Sequence, residues 1–212
     1  MLDFVNSIIN ELLASSPWEL VAVVLAIVYL VLAMRQNSWC WPAAFISTLI
    51  YTVLFWNVSL LMESLLNAYY LIMALYGWRM WRSTTDSGLL SGATPPATIV
   101  SWNVSTHIKV VGVLALISLV LGYIMANFTN ADFAYLDATT TVFSVFTTWM
   151  VTQKILENWL YWLVIDAASI YLYLNKSFNL TAGLFILYCV LAVVGYIQWR
   201  NQLKAPQSLI TQ

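Results

Sequence analysis

Stretches of apolar residues long enough to cross a bilayer recur along almost the whole chain, and they constrain its fold more than any other feature. A helix needs about 20 such residues to span the hydrocarbon core. Inside that core every backbone N–H and C=O must be satisfied within the segment itself, so a chain of this kind folds as a bundle of helices. Read this way, the sequence predicts seven spans, running approximately from Trp18 to Met34, Trp39 to Trp56, Leu60 to Trp81, Ile108 to Ala126, Tyr135 to Val151, Trp159 to Leu174 and Phe178 to Trp199. With 62% of residues hydrophobic and only 8% charged, an ordinary soluble domain is excluded. The expected fold class is an all-α, multi-pass integral membrane protein.

The joints between spans are short, with one exception. Ser83 to Ser105 is rich in Ser, Thr, Gly and Pro, includes the adjacent Pro95 and Pro96, and reads as a flexible linker. The expected organisation is a short amphipathic segment over 1–16 at the membrane surface, with a first three-helix unit over 17–82 and a linker over 83–107. A single linking span over 108–130, a second three-helix unit over 131–200 and a tail over 201–212 follow. Arg35, Arg79, Arg82, Lys109, Lys154, Arg200 and Lys204 all fall on one side of these spans and only Lys176 on the other. That bias places the N-terminus outside and the C-terminus and linker in the cytoplasm.

The N-terminus lacks the basic region and small-residue cleavage site of a signal peptide. Cys40 and Cys189 lie in apolar stretches, where a thiol behaves as a small hydrophobe, and neither a disulfide nor a metal site is expected. A net charge of −1, with no basic patch, gives no sign of nucleic-acid binding. His107, alone at the start of the fourth span, reads as an interface residue rather than a ligand.

An internal repeat is visible at one constant offset. The third span ends YGWRMWR and the seventh ends VGYIQWR, so Gly77, Trp78, Trp81 and Arg82 match Gly195, Tyr196, Trp199 and Arg200. The same offset aligns Tyr70 with Tyr188 and Trp41 with Trp159, and lays the first span on the fifth. A lone fourth span between two units of three gives both units the same orientation. This is a parallel repeat in a 3+1+3 arrangement, a layout in which substrate binds near the midplane between repeats.

The stretch ENWLYWLVIDAASIYLY, Glu157 to Tyr173, carries Asp166 near the middle of the sixth span. A carboxylate at the bilayer centre costs about 2.5 to 3.5 kcal/mol on insertion scales, which makes it a functional-site hypothesis. At helical spacing Trp159, Trp162, Asp166, Ser169 and Tyr173 share one stripe. An acid among aromatic faces suits a flat organic cation, because the ring quadrupole attracts positive charge and the carboxylate neutralises it. The bland alternative is a packing Asp flanked by interfacial Trp. Polar stripes also run through Glu63, Asn67 and Tyr70 in the third span, Trp41, Phe45, Thr48 and Thr52 in the second, and Asp137, Thr141, Ser144 and Thr148 in the fifth. Ser, Thr and small residues glue membrane helices together in any case, but several stripes at once favour a polar pathway. Glu63 and Asp137 lie near the outer ends of their spans, where they are placed to draw a cation to an entrance.

The segments AFISTLIYTVLFW and YYLIMALYGWRMW in the first half, and LDATTT, KILENWLYWLVIDAASIYLYLNKSFNLTA and VVGYIQWR in the second, together resemble the PnuC-type family of bacterial vitamin transporters. The resemblance covers nearly all spans except the fourth and the linker. It implies a seven-helix, SWEET-like architecture in the inner membrane, often trimeric, that passes unphosphorylated B vitamins or precursors by facilitated diffusion. A cytoplasmic kinase would then trap the cargo. It further implies that the sixth-span stripe at Trp159, Trp162 and Asp166 holds the ligand. Nicotinamide riboside and thiamine, both cationic, fit that chemistry almost equally; riboflavin, neutral and larger, comes third.

Other classes fit less well. A retinal protein needs a Lys in its last span for the Schiff base, and Phe178 to Trp199 has none. A membrane enzyme would show a HExxH pair, a Ser-His-Asp set or a Cys-rich cluster, and the sequence has none of these. No catalytic residue and no cofactor is expected. A sugar facilitator of the same architecture remains an alternative, since aromatic faces also stack on sugars.

Overall fold

The computed structural model describes residues 2–57, 61–91, 99–129, 133–175 and 178–204, with side chains described over 6–54, 66–82, 99–129, 133–175 and 178–204. The side chain of Glu63, Lys176, residues 92–98 of the linker with Pro95 and Pro96, the 130–132 junction and tail residues 205–212 lie outside the described set. The described chain is helical: α1 (Leu2–Ala14), α2 (Pro17–Met34), α3 (Cys40–Asn57), α4 (Leu61–Ser91), α5 (Val104–Phe128), α6 (Ala134–Thr152), α7 (Asn158–Asn175) and α8 (Asn179–Lys204). Of these, α2, α5 and α8 are long and apolar enough on their own to cross a membrane, and α3 holds a shorter apolar run, Cys40–Leu54.

Local chemistry explains where the helices begin. Pro17 opens α2 behind Ser16, whose hydroxyl accepts the Glu19 N–H at 3.2 Å, with Glu19 itself in the positively polarised first turn. Asn103 caps α5 in the same way, accepting from the Thr106 N–H at 2.8 Å.

Two helix ends are near copies of each other. α2 closes with Gln36 N–H on the Ala33 carbonyl and Asn37 N–H on Leu32; α6 closes with Lys154 N–H on Val151 and Ile155 N–H on Met150. Both are Schellman caps, and both place a non-glycine residue in the left-handed region, Gln36 at φ 54° and Lys154 at φ 52°. These residues correspond at the offset that aligns Trp41 with Trp159. A cap of this type leaves the carbonyl of the last helical residue unpaired. In each half an indole from the other half supplies the donor: Trp199 Nε1–H reaches Met34 O at 3.1 Å and Ala33 O at 3.2 Å, and Trp81 Nε1–H reaches Thr152 O at 3.1 Å.

Packing repeats the correspondence. α3 lies between α2 and α4, α7 lies between α6 and α8, and the two sets meet through α4 against α6 and α8 against α2. Trp41 packs edge-on to Trp81 at 5.3 Å, Trp159 edge-on to Trp199 at 5.5 Å, and Trp81 meets Trp199 at 6.4 Å between the two sets. Gly77 and Gly195 are the floors on which Trp41 and Trp159 rest. A methyl group on Gly195 would stand 2.7 Å from Trp159 Cδ2, and one on Gly77 would overlap the Trp41 ring. α5 packs along α6, meets α7 at its first turn through His107, and is exposed along most of its length.

The linker differs from its expected form. α4 continues past Trp81 to Ser91, and Ile99 to Asn103 is bound to the α6–α7 turn rather than free. Val100 N–H donates to Lys154 O at 3.1 Å and Val100 O accepts from Leu156 N–H at 2.8 Å. Glu157 takes the Trp102 N–H at 3.2 Å and the Ser101 hydroxyl, and its carboxylate lies 3.7 Å from His107 Nε2. His107 Nδ1 is 3.0 Å from the Tyr161 hydroxyl. These contacts anchor Ile99 to Asn103 and the start of α5 to the α6–α7 turn and α7. α1 lies against α8, where Glu11 accepts the Leu180 N–H at 2.8 Å and the Asn179 N–H at 3.3 Å. Those bonds, the Leu180 one foremost, hold the Glu11 carboxyl below the usual carboxylate range.

Candidate vitamin-binding site

Asp166 lies on the buried face of α7, 4% exposed. Among the described residues no group hydrogen-bonds its carboxylate or forms an ion pair with it. Around it the bundle assembles groups from four helices. Tyr70 of α4, with Tyr188 and Cys189 of α8, lie close enough to feel its charge. Ser144 of α6, itself 6% exposed, is within hydrogen-bonding reach of Tyr70. One turn further along α7 Ser169 is buried, and Tyr173 stacks on Phe185 at 5.3 Å and 22°. Phe185 in turn meets Tyr188 edge-on at 5.6 Å. The arrangement is an acid flanked by phenol rings, able to receive a flat group carrying positive charge or hydrogen-bond donors.

The sequence-predicted residues fall into two sets. Asp166, Tyr70, Ser144, Ser169 and Tyr173 gather in this region. Trp41 and Trp159, each 2% exposed, are instead packed into the tryptophan core near the Schellman caps, with their indole N–H groups unpaired. Trp159 therefore shares a helical stripe with Asp166 without sharing its surroundings, because the stripe runs two turns along α7 into the contact with Gly195. Trp162 is half-buried between the two regions and packs on the core. Thr48, Asn67 and Thr141 are half-buried on α3, α4 and α6.

Several α6 threonines, among them Thr148 of the predicted stripe, are satisfied within their own helix. Thr140, Thr147 and Thr148 hydroxyls donate to the carbonyls of Leu136, Phe143 and Ser144 at 3.0, 2.7 and 2.8 Å. Such hydroxyls are committed to their own backbone rather than offered to a pathway. Tyr188, Phe185 and Cys189 join this region although no stripe in the sequence singles them out; for Tyr188 the alignment with Tyr70 in the repeat is a signal.

Near the caps, Lys154 is buried with its ammonium 4.8 Å over the Trp81 ring, and burial pushes it below the ordinary lysine range.

The sequence profile described as nicotinamide mononucleotide transporter matches residues 16–201, nearly the whole described chain. The chain belongs to that family. Relatives include the riboflavin/roseoflavin transporter RibM of Streptomyces davaonensis, 24% identical over 182 residues, which are 85% of this chain and 83% of RibM. The nicotinamide riboside transporter PnuC of Escherichia coli is 21% identical over 178 residues, 75% of this chain and 74% of PnuC. The fold is shared with the crystal structure of the vitamin B3 transporter PnuC, at a TM-score of 0.73 and 20% identity, covering 96% of this chain and 89% of that one. This family member is accordingly a PnuC-type transporter of the bacterial inner membrane, multi-pass and not an enzyme.

Proposed function

We propose that the chain carries an unphosphorylated, flat, cationic B vitamin or precursor down its gradient, with nicotinamide riboside the favoured cargo and thiamine nearly level with it. The observation that carries this reading is Asp166, buried mid-helix among tyrosines and bound by no protein cation among the described residues. A membrane carboxylate in that position is stabilised when a cation arrives, and the faces of Tyr70, Tyr173 and Tyr188 add attraction for a charged ring. Trp162, Ser169, Asn67, Thr48, Thr141 and Ser144 would complete the path to it.

The reading includes seven spans in the 3+1+3 order, supported by the matched caps, clasps and glycine floors of the two halves. It places the N-terminus outside and the C-terminus inside, because that puts nearly all lysines and arginines on the cytoplasmic side. Cytoplasmic phosphorylation of the cargo then prevents its return. Assembly as a homotrimer belongs to the same proposal.

Riboflavin is the second reading, favoured by the 24% identity to RibM over 85% of this chain. An uncharged ring would use the Asp166 carboxyl for hydrogen bonding instead of charge pairing. Titration calorimetry of the purified protein with nicotinamide riboside, thiamine and riboflavin separates these outcomes. Tight binding of one cation supports charge pairing, preference for riboflavin keeps the vitamin site but removes the pairing, and binding of none redirects the assignment to a sugar.

A further inference from the structure

The contacts at the capped end of the bundle form a closed, symmetric lock. Trp81 ends its indole N–H on the last carbonyl of α6, Trp199 ends its own on the last carbonyl of α2, and the two rings touch each other at 6.4 Å. Trp41 and Trp159 extend the row on either side. Each half thus caps a helix of the other, and neither half can swing away without freeing a buried carbonyl. Both capping carbonyls lie beside basic residues, Arg35 and Lys154, at the end that the proposed function takes as cytoplasmic. Cys40, 0% exposed and at the first position of α3, belongs to the same core as the four tryptophans.

We propose that the reciprocal Trp81 and Trp199 clasps are the cytoplasmic gate of the transporter, and that the structure is the state in which this gate is shut. The proposal rests on the assigned orientation but not on the identity of the cargo. The two clasps are coupled, because the Trp81–Trp199 contact is shared and loss of either hydrogen bond loosens the packing that the other needs. One half is reinforced asymmetrically: Lys154 places a cation over Trp81, whereas its counterpart Gln36 hydrogen-bonds Gln202 instead. Gating residues of this kind set how often the carrier opens inward and leave the binding site itself intact.

The two native cysteines report on different parts of the bundle: Cys40 is buried in the tryptophan core with the clasps, and Cys189 lies along α8 with its thiol 3.9 Å from the Leu163 carbonyl of α7. In membrane vesicles of both orientations, with no cargo present, the rate of modification of each cysteine by a membrane-impermeant maleimide is read by peptide mass spectrometry. Trp81→Phe and Trp199→Phe keep a ring and remove only the N–H donor. Each should raise Cys40 modification from the cytoplasmic side about fivefold, the population shift that one lost hydrogen bond produces, and lower Cys189 modification from the outside. Lys154→Gln, which leaves both N–H bonds in place and matches position 36, should move both rates the same way by a smaller factor. Simple loosening of the fold would raise both rates together, and either that outcome or unchanged rates in all three variants overturns the gate. Reactivity of Cys40 from the outside alone would overturn the orientation and leave the Asp166 site unaffected.

Discussion

The capped end of the bundle and the acid at its middle are built on opposite principles. At the capped end the main contacts are present twice: Gln36 and Lys154 in the left-handed region, Trp41 and Trp159 on glycine floors, Trp81 and Trp199 on the last carbonyls. At the middle the correspondence is partial: Tyr70 still matches Tyr188, but the acid has no acidic counterpart. The offset that matches these pairs sets Asp166 opposite Thr48, Trp162 opposite Ala44 and Ser169 opposite Tyr51. Symmetry is kept where the two halves hold each other, and the buried acid stands in one half only. The duplicated contacts mark where the two halves hold each other, and Asp166 marks where the repeat is broken.

Substitutions at the duplicated positions should cost the fold most. Trp199→Ala and Trp81→Ala each remove a buried indole and free a helix-end carbonyl, with an expected loss of about 3 to 5 kcal/mol and comparable drops in melting temperature in detergent for the two. A much larger effect at one position would show that the lock is not reciprocal. Gly195→Ala drives a methyl into Trp159 and should cost about 1 to 3 kcal/mol, again matched by Gly77→Ala in the same thermal assay.

Asp166→Asn should behave in the opposite manner. The carboxylate makes no hydrogen bond among the described residues, so its replacement leaves the melting temperature unchanged or raises it while weakening cation binding in a calorimetric titration. A strong fall in stability would move Asp166 into the structural class. The smallest effect is expected at the N-terminal helix. Glu11 is held below the ordinary carboxylate range by the α8 amides, so docking of α1 is complete above that range and is lost as pH falls through the lowered value. Protease release of residues 1–14 should rise with acidification in the wild type and be flat with pH in Glu11→Gln.

Much of this was legible in the sequence. The glycine and tryptophan spacing at YGWRMWR and VGYIQWR exposed the repeat, because a ring resting on a helix leaves room for no side chain beneath it. Asp166 stood out because a charge inside an apolar run is costly. The assignment of Trp41 and Trp159 to a ligand stripe was the weaker step. In a membrane helix the lipid face and the buried face are both apolar, so periodicity gives a direction around the helix without naming the neighbour. Tyr188, Phe185 and Cys189 were hidden for the same reason. The left-handed caps were invisible because Gln36 and Lys154 stand where glycine is the usual signal. Composition gave no sign that Ile99 to Asn103 is held in place, since the contacts that fix it come from Lys154, Leu156 and Glu157, far away in sequence.

Charge pairing at Asp166 is the central claim, and it is tested most directly by two ligands of nearly the same size and outline, only one of which is charged. Nicotinamide riboside and its reduced dihydro form share the ring outline and the sugar, but only the first carries a positive ring. Calorimetric titration of both against wild type and Asp166→Asn gives a complete cycle. The account predicts at least about tenfold preference for the cation in the wild type, roughly 1.4 kcal/mol or more, and loss of that preference in Asp166→Asn. Equal affinities in the wild type, or a cation preference that survives the substitution, would contradict it.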